Sequence, residues 1–469
     1  MDFSVILQTP QFRQLVQENA LDRLFADGLY PAVLFREEAE TERWEANVGD
    51  NKTFTGKGLM KPRLRPLQPG QDPAPHDYKL EQWAAQQQKY ADSIDTHLPT
   101  AVAAAVNKLT EDLKILGLNA GQTLNRLPRN KLYNAAESGW TVADGAQNAV
   151  TSLRVKRLNG FTRARRPDLS TGSPVRYDTV TANNPLAITV VQTVGGATTV
   201  NVTGFTPDTP GDEIGPGVLT VSAAVTVADR DAVFASTRTS LVRSGGGNAT
   251  DALTAGTDIL HLSDIRSAVA RLRTVDVQPM ADGYFHMHLD PTGESQLYAD
   301  NEFQRLNISL PDGMHYRDFA VTRLLGCTIY RNNECPQTHN VDGASTATYS
   351  QDDPFAGEMF SNGNASTGSK VHRALVIGAG ALKEYYVDQN AMITEAGVAG
   401  KVEQGARVVN NGVEIDVQRI HVIMRQPQDR LQEIVAQTWK FQGDWVVRTD
   451  GATGDAAAYK RVCEIQFTE

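Results

Sequence analysis

The chain has 469 residues and a formal charge of -10, from 45 Lys and Arg against 55 Asp and Glu. Such a balance argues against a protein whose main task is gripping nucleic acid, because phosphate binding needs a basic surface. With 41% hydrophobic and 21% charged residues, a sizeable core spread over two to four domains is expected. The cysteines, Cys327, Cys335 and Cys463, are too few for a disulfide framework at this size. Cys327 and Cys335 could meet across a hairpin or stay as buried thiols. The start, Met1-Asp2-Phe3-Ser4, lacks the basic n-region and apolar core of a signal peptide, and no run of about eighteen apolar residues could cross a membrane. A soluble product made in the cytoplasm is expected.

In chain order, Thr9-Pro10 predicts a helix start, a threonine cap followed by proline at the first helical position. Phe12, Leu15, Val16, Leu24 and Phe25 share one face, and Gly28 is the expected stop. Leu29 to Phe35 reads as extended, and Glu37 to Glu45 as an acidic lead into the next stretch. From Asn47 to about Trp83 the chain is polar and glycine-punctuated, then carries five prolines between Pro62 and Pro75. Ordinary connections run to about four to six residues. Phe54, Leu59, Met60, Leu64 and Leu67 give this stretch apolar anchors, and Lys52, Lys57, Lys61, Arg63 and Arg65 give it charge. Its prolines lower the entropy lost when it becomes fixed. We read it as an arm laid over a neighbouring subunit, with a flexible linker as the alternative.

After the arm, Leu80, Trp83, Ala84, Tyr90 and Ile94 predict a helix ending before Pro99. Val102, Ala105, Val106, Leu109, Leu113 and Leu116 repeat at three and four, the strongest helical pattern in the chain, with Gly117 as terminator. A shorter helix, Arg129 to Ser138, follows Pro128. From about Asp144 to Thr257 the composition turns to Thr, Val, Gly and Pro, which predicts a β-rich insertion. Ile188 to Val194 and Thr198 to Val202 flank Gly195-Gly196 as a hairpin, Val218 to Val227 adds strand, and Arg238 to Thr254 reads as loop. Ser263 is a plausible cap for a helix bearing Ile265, Val269 and Leu272. Tyr284 to Leu289 is a strand and Leu297 to Leu306 a helix. Further strands are expected at Cys327 to Arg331, Arg373 to Ile377, Val408-Val409, Val413 to Val417, Arg419 to Arg425, Trp439 to Arg448 and Val462 to Phe467, with Asn411-Gly412 as a hairpin turn.

Few residues suggest chemistry. Gly378-Ala379-Gly380 follows a strand, but Lys383 stands where a dinucleotide loop needs its third glycine, so a strand-to-helix turn is the plainer reading. His286 and His288 alternate on one strand face with Asp290 beyond them. The pair could share a metal, with Asp290 or His315 as a third ligand, or simply face a neighbouring strand. Gly56-Lys57 lacks the spacing of a phosphate loop. No Gly-x-Ser-x-Gly, Cys-x-x-Cys or His-Glu-x-x-His occurs, so no catalytic, cofactor-binding or metal residues are assigned. Arg154, Lys156, Arg157, Arg163, Arg165 and Arg166 form the one basic cluster. It could touch a nucleic-acid backbone, though pairing with carboxylates of another copy is the preferred reading.

The order of parts, together with several local strings, resembles the major capsid protein of tailed bacteriophages. The strings are Asn47-Val48-Gly49-Asp50, Asp282-Gly283-Tyr284 through Asp290-Pro291 to Leu297-Tyr298-Ala299-Asp300, and Gly326-Cys327-Thr328-Ile329-Tyr330-Arg331-Asn332 with Ala374 to Ala381. The resemblance implies an α+β fold of the Hong Kong 97 type. It implies an N-terminal arm (1–45), an extended loop (46–77), and a spine helix with peripheral domain (78–143, completed by part of 405–469). An inserted β-rich domain (144–257) and an axial domain (258–404, with the last strand 461–468) would complete it. It implies a non-enzymatic coat protein without cofactors, closing as hexamers and pentamers into an icosahedral virion shell around DNA that it does not read by sequence. Portal, scaffolding and decoration proteins are implied partners. Phe12, Leu15, Phe54, Lys57, Leu59, Met60, Lys61, Arg63, Leu64 and Arg65 are the expected contacts between subunits. The rival readings are a metal-dependent enzyme using His286 and His288, and a fibre or receptor-binding protein.

Overall fold

The computed structural model describes residues 20–29, 34–44, 49, 51–57, 66, 70, 72, 80–97, 105–165, 177–192, 196–235, 241–246, 253–274, 277–308, 323–339, 370–387, 407–409, 412–417, 419–425, 434–447 and 461–469. The fold is α+β. It divides into one unit of Met1–Thr53, Ala84–Arg129 and Leu382–Val446, and another of Phe54–Trp83, Asn130–Ala381 and Val447–Glu469.

Among the described residues the first elements are α1 (Ala20–Leu29), the helical turn α2 (Leu34–Glu37), β1 (Ala39–Trp44), β2 (Asn51–Lys57), β3 (Leu80–Gln86), β4 (Gln88–His97) and the 32-residue α3 (Ala105–Ala136). Next come β5 (Trp140–Val142), β6 (Gln147–Val155), β7 (Arg163–Arg165), β8 (Tyr177–Thr179), β9 (Leu186–Gln192), β10 (Gly196–Pro207), β11 (Gly217–Val227), β12 (Ala232–Ala235) and β13 (Leu241–Arg243). They are followed by α4 (Leu262–Thr274), β14 (Phe285–Leu289), α5 (Pro291–Ala299), α6 (Asn301–Ile308), β15 (Arg323–Leu324), β16 (Cys327–Arg331), β17 (Gln337–His339) and β18 (Lys370–Ile377). The last strands are β19 (Leu382–Val387), β20 (Arg407–Val409), β21 (Gly412–Val417), β22 (Ile420–Arg425), β23 (Ile434–Val447) and β24 (Val462–Thr468).

The first unit is built on a seven-stranded sheet ordered β1-β19-β23-β22-β21-β20, with β4 also paired to β23. Alternate residues of β23, from Val435 through Gln437 and Trp439 to Phe441, are buried, the period-2 signature of a strand. β4 runs antiparallel to it in unbroken register from Gln88↔Gly443 to His97↔Ile434. The helix predicted over Leu80 to Ile94 is therefore two strands. Tyr90, Ile94 and Thr96 sit at even spacings, and ladder pairing outweighs helical propensity that was only weakly expressed. The acidic lead is also strand, since β1 lies parallel to β19, and the stretch expected to be extended contains the turn α2.

Neither Gly28 nor Gly117 ends a helix. A side-chain carbon on Gly28 would collide with the Lys114 carbonyl oxygen, and one on Gly117 with that of Phe25. The two glycines let α1 and α3 cross backbone to backbone, burying Phe25, Leu29, Leu113 and Leu116. Consequently α3 runs on past Gly117 and through Pro128, which forgoes one helical hydrogen bond without ending the helix.

The second unit contains two large sheets besides the small pair β7–β8. One is ordered β5-β12-β9-β10-β11-β6, and its end strands meet. Ala143 bridges Val155, the Lys156 N–H donates to the Val142 carbonyl at 3.1 Å, and the Asp144 N–H donates to the Arg154 carbonyl at 3.0 Å. Six strands thus close into a barrel filled by Leu153, Val155, Ile188, Val190, Val202 and Leu219, as small barrels are filled by inward side chains. The barrel starts at Trp140, ahead of the predicted boundary, and its last strand ends at Ala235. Leu241–Arg243, expected as loop, pairs parallel with β24.

The other sheet is ordered β13-β24-β18-β14-β16-β15, with β17 on β18. Ile265, Val269 and Leu272 of α4 and Leu297 of α5 pack with Phe285, Met287, Cys463, Ile465 and Phe467. Asp290 caps α5 by accepting from the Gly293 N–H at 3.0 Å, with Pro291 at the first helical position. The predicted helix Leu297 to Leu306 is two helices broken at Asp300. That carboxylate accepts from the N–H groups of Glu302 at 2.7 Å and Leu262 at 3.0 Å, so it serves the starts of α6 and α4 together. Ser263, the expected cap, lies inside α4. Gly378-Ala379-Gly380 leads from β18 into strand β19, not into a helix, so no helix N-terminus is there to hold a phosphate.

Candidate functional site

β2 and β3 pair with each other as a two-stranded ribbon, and among the described residues neither joins another sheet. The base of the ribbon is pinned within the first unit. Trp44, buried against the edge of Tyr385 with ring centres 6.4 Å apart, donates from Nε1 to the Gly49 carbonyl at 3.2 Å. Lys52 lies 3.9 Å from Glu42. On the returning side the Gln86 N–H donates to Asp444 Oδ2 at 3.0 Å, while Asp444 Oδ1 accepts from the Trp445 N–H at 2.8 Å.

Behind the base lies a buried ion cluster. Arg36 donates to Glu384 from Nη2 at 2.7 Å and from Nε at 3.0 Å, a forked pair of the strong kind. Arg419 approaches the same carboxylate at 3.4 Å. Burial holds the Arg419 guanidinium below its usual range despite that carboxylate. The Phe35 N–H donates to Asn125 Oδ1 at 2.7 Å, fixing the turn α2 to α3.

Of the expected contact residues, Phe54 and Lys57 fall in β2. Phe12, Leu15, Leu59, Met60, Lys61, Arg63, Leu64 and Arg65 lie outside the described residues. Of the residues that pin the ribbon, Lys52 was named from sequence as one of its charges; Trp44, Tyr385 and Asp444 were not, because the Trp44–Tyr385 and Gln86–Asp444 contacts join segments far apart in the chain. The basic cluster is corrected. Arg154 forks onto Asp208 and reaches Asp144 at 3.0 Å, Arg157 is buried against Glu137, and Arg163 lies 3.3 Å from Glu213. The Asp208 and Asp144 contacts raise the Arg154 pKa further. These three charges are met by carboxylates of their own chain. Arg165 ends β7, and Arg166 lies outside the described residues.

His286 and His288 both pack on Tyr330, with ring centres 4.9 and 5.6 Å apart, but their nitrogens go to different partners. His286 Nε2 is 3.5 Å from Asp282, His288 Nδ1 is 3.2 Å from the Asn332 side chain, and Asp290 is bonded to His372. Among the described residues no three His, Cys, Asp or Glu side chains are grouped to hold a metal ion; His315 lies outside them. Cys327, Cys335 and Cys463 are buried free thiols. Burial pushes Cys327 and Cys463 up to about 12, so they are not nucleophiles.

The densest buried polar grouping joins the barrel to the β13–β24–β18 sheet. Glu137, just past α3, takes Arg157 on one side, Arg373 Nη1 at 2.9 Å on the other, and Gln466 Nε2 at 3.1 Å. Gln466 also donates to Glu464 at 2.9 Å and accepts from Arg243 Nε at 3.1 Å. Burial raises the Glu464 pKa, with Arg373 opposing, and lowers that of Arg373, with Glu464 opposing.

The chain is similar to phage capsid subunits. It matches the capsid of Ralstonia phage GP4 at 11% identity, covering 92% of this chain and 86% of that one, with a TM-score of 0.42. The head structure of Helicobacter pylori bacteriophage KHP40 matches at 10% identity over 93% and 91% of the two chains, TM-score 0.45. The capsid of cyanophage P-SCSP1u matches at 11% identity over 93% and 87%, TM-score 0.42. No family model matches the sequence, and no curated protein does. No helix among the described residues is long and apolar enough to cross a membrane.

Proposed function

We propose that the chain is the major capsid subunit of a tailed bacteriophage, with a Hong Kong 97-type body that self-assembles as hexamers and pentamers into an icosahedral shell around DNA. The observation that supports this is the ribbon β2–β3, which is paired only with itself among the described residues. Two strands alone are marginal in water at best, so such a ribbon finds its stability on another surface. The pinned base in the first unit fixes where the ribbon leaves. In a closed ring of copies, each ribbon would rest on the next subunit through a head-to-tail contact, and many modest contacts sum by avidity. The arm 1–45, the loop 46–77 and the expected contact residues take their assembly roles within this reading. So do partners at the portal, in scaffolding and in decoration.

Replacing residues 51–83 by a short Gly-Ser linker tests it. Folded subunits that sediment as small species and show no shells in negative stain are expected. Shells of parental size and number from the shortened chain would reject the assignment.

A further inference from the structure

We propose that Glu137 is a keystone that locks the β-barrel to the β13–β24–β18 sheet in one orientation, so that the two move as a single body. Glu137 has no exposed surface, and neither do Arg373, Glu464 and Gln466. Its carboxylate is held simultaneously by Arg157, which follows barrel strand β6, and by Arg373 of β18 and Gln466 of β24.

Three further links converge there. Arg157 Nη2 donates to Asn134 Oδ1 at 2.9 Å, tying the barrel wall to the end of α3, while its backbone N–H donates to the Thr141 hydroxyl of β5 at 3.0 Å and holds Arg157 to the barrel. Arg243 of β13 lies over the Trp140 ring at 4.3 Å, and its Nε reaches Gln466. The Tyr133 hydroxyl donates to the Arg373 carbonyl at 3.0 Å. The Gln466 amide spends its nitrogen on both glutamates and its oxygen on Arg243, so it cannot flip without losing all three.

A buried cluster of this kind contributes little net stability compared with well-packed apolar residues. What it does is penalise every other arrangement, because turning the barrel would leave arginines and glutamates buried without opposite charge. The close fit of Gly160 against Gly139 and Ser138 allows no side chain to cushion such a turn. The barrel is accordingly a fixed part of the second unit, not a tethered module.

Spin labels at Thr199→Cys, on the exposed barrel wall, and Glu302→Cys, on exposed α6, report the orientation directly in the full chain, because the native thiols are buried. A single narrow distance distribution is expected for the parent. Glu137→Gln should broaden it by about twofold or more as the barrel samples other orientations. A second variant, Glu137→Met with Arg157→Met and Arg373→Met, keeps the site filled without charge and should broaden it likewise. A broad parental distribution overturns the proposal, and so do variants as narrow as the parent.

Discussion

Glu464 has no exposed surface and lies between Arg373 and Gln466. Burial raises its carboxyl pKa more than these partners lower it. The folded chain therefore holds this proton more firmly than the unfolded chain does. The resulting stabilisation is full below the ordinary carboxylate range and is lost as pH rises through the folded value. Glu464→Gln keeps a hydrogen-bonding partner for Gln466 without the buried charge. Its urea midpoint should equal or exceed the parent's near neutrality, with the difference closing toward about pH 4. A variant much weaker at neutral pH would show that the ionised carboxylate is required by Arg373. Residues such as Glu464 and Gln466 were not legible in the sequence. Cys463, Ile465 and Phe467 alternate with them as a half-exposed strand should, yet every residue of Val462–Thr468 is buried, because the barrel root covers the polar face.

At the scale of elements, the crossing of α1 and α3 decides the sign of a simple substitution. Alanine is ordinarily better than glycine in a helix interior by about 1 kcal/mol. At Gly117 the added carbon meets the Phe25 carbonyl, and overpacking of this kind costs about 1–3 kcal/mol. Gly117→Ala should lower the melting temperature; an unchanged or raised value would mean the helices are not in backbone contact. The same glycine explains a misreading. A Gly after a periodic run looks identical whether it caps a helix or admits a neighbour, so the strongest helix was recognised but its end was not. The barrel strands β9, β10 and β11 were legible because Val and Thr alternate between Gly and Pro turns, while β5, β6 and β12 were not foreseen. The strands from Leu80 to His97 were not, since β3 is a strand through its pairing with β2, and β4 through β23, more than three hundred residues away.

For the whole molecule, the barrel has its own closed ladder and its own apolar filling. A fragment of residues 138–236 should give a β-type circular dichroism spectrum and a cooperative melt near neutral pH. An unordered spectrum would mean that the clamp at Glu137 is needed for folding as well as for orientation. The order of N-terminal helix, long irregular stretch, long helix, β-rich stretch and closing strands could be read from composition and periodicity, whereas the α+β class followed from the resemblance and the pairing of β2 with β3 was not foreseen. How the end strands of the β-rich stretch meet could not, because only the Ala143–Val155 bridge and its flanking hydrogen bonds reveal it.

A sheet whose first and last strands meet keeps a shorter rim of unpaired amides and carbonyls than an open one. Crowding copies of it at high local concentration gives a neighbouring strand less edge to zip on. The barrels can thus stand close together with less tendency to seed fibres or exchange strands, and variation on their polar outer walls carries little risk of making the chains stick.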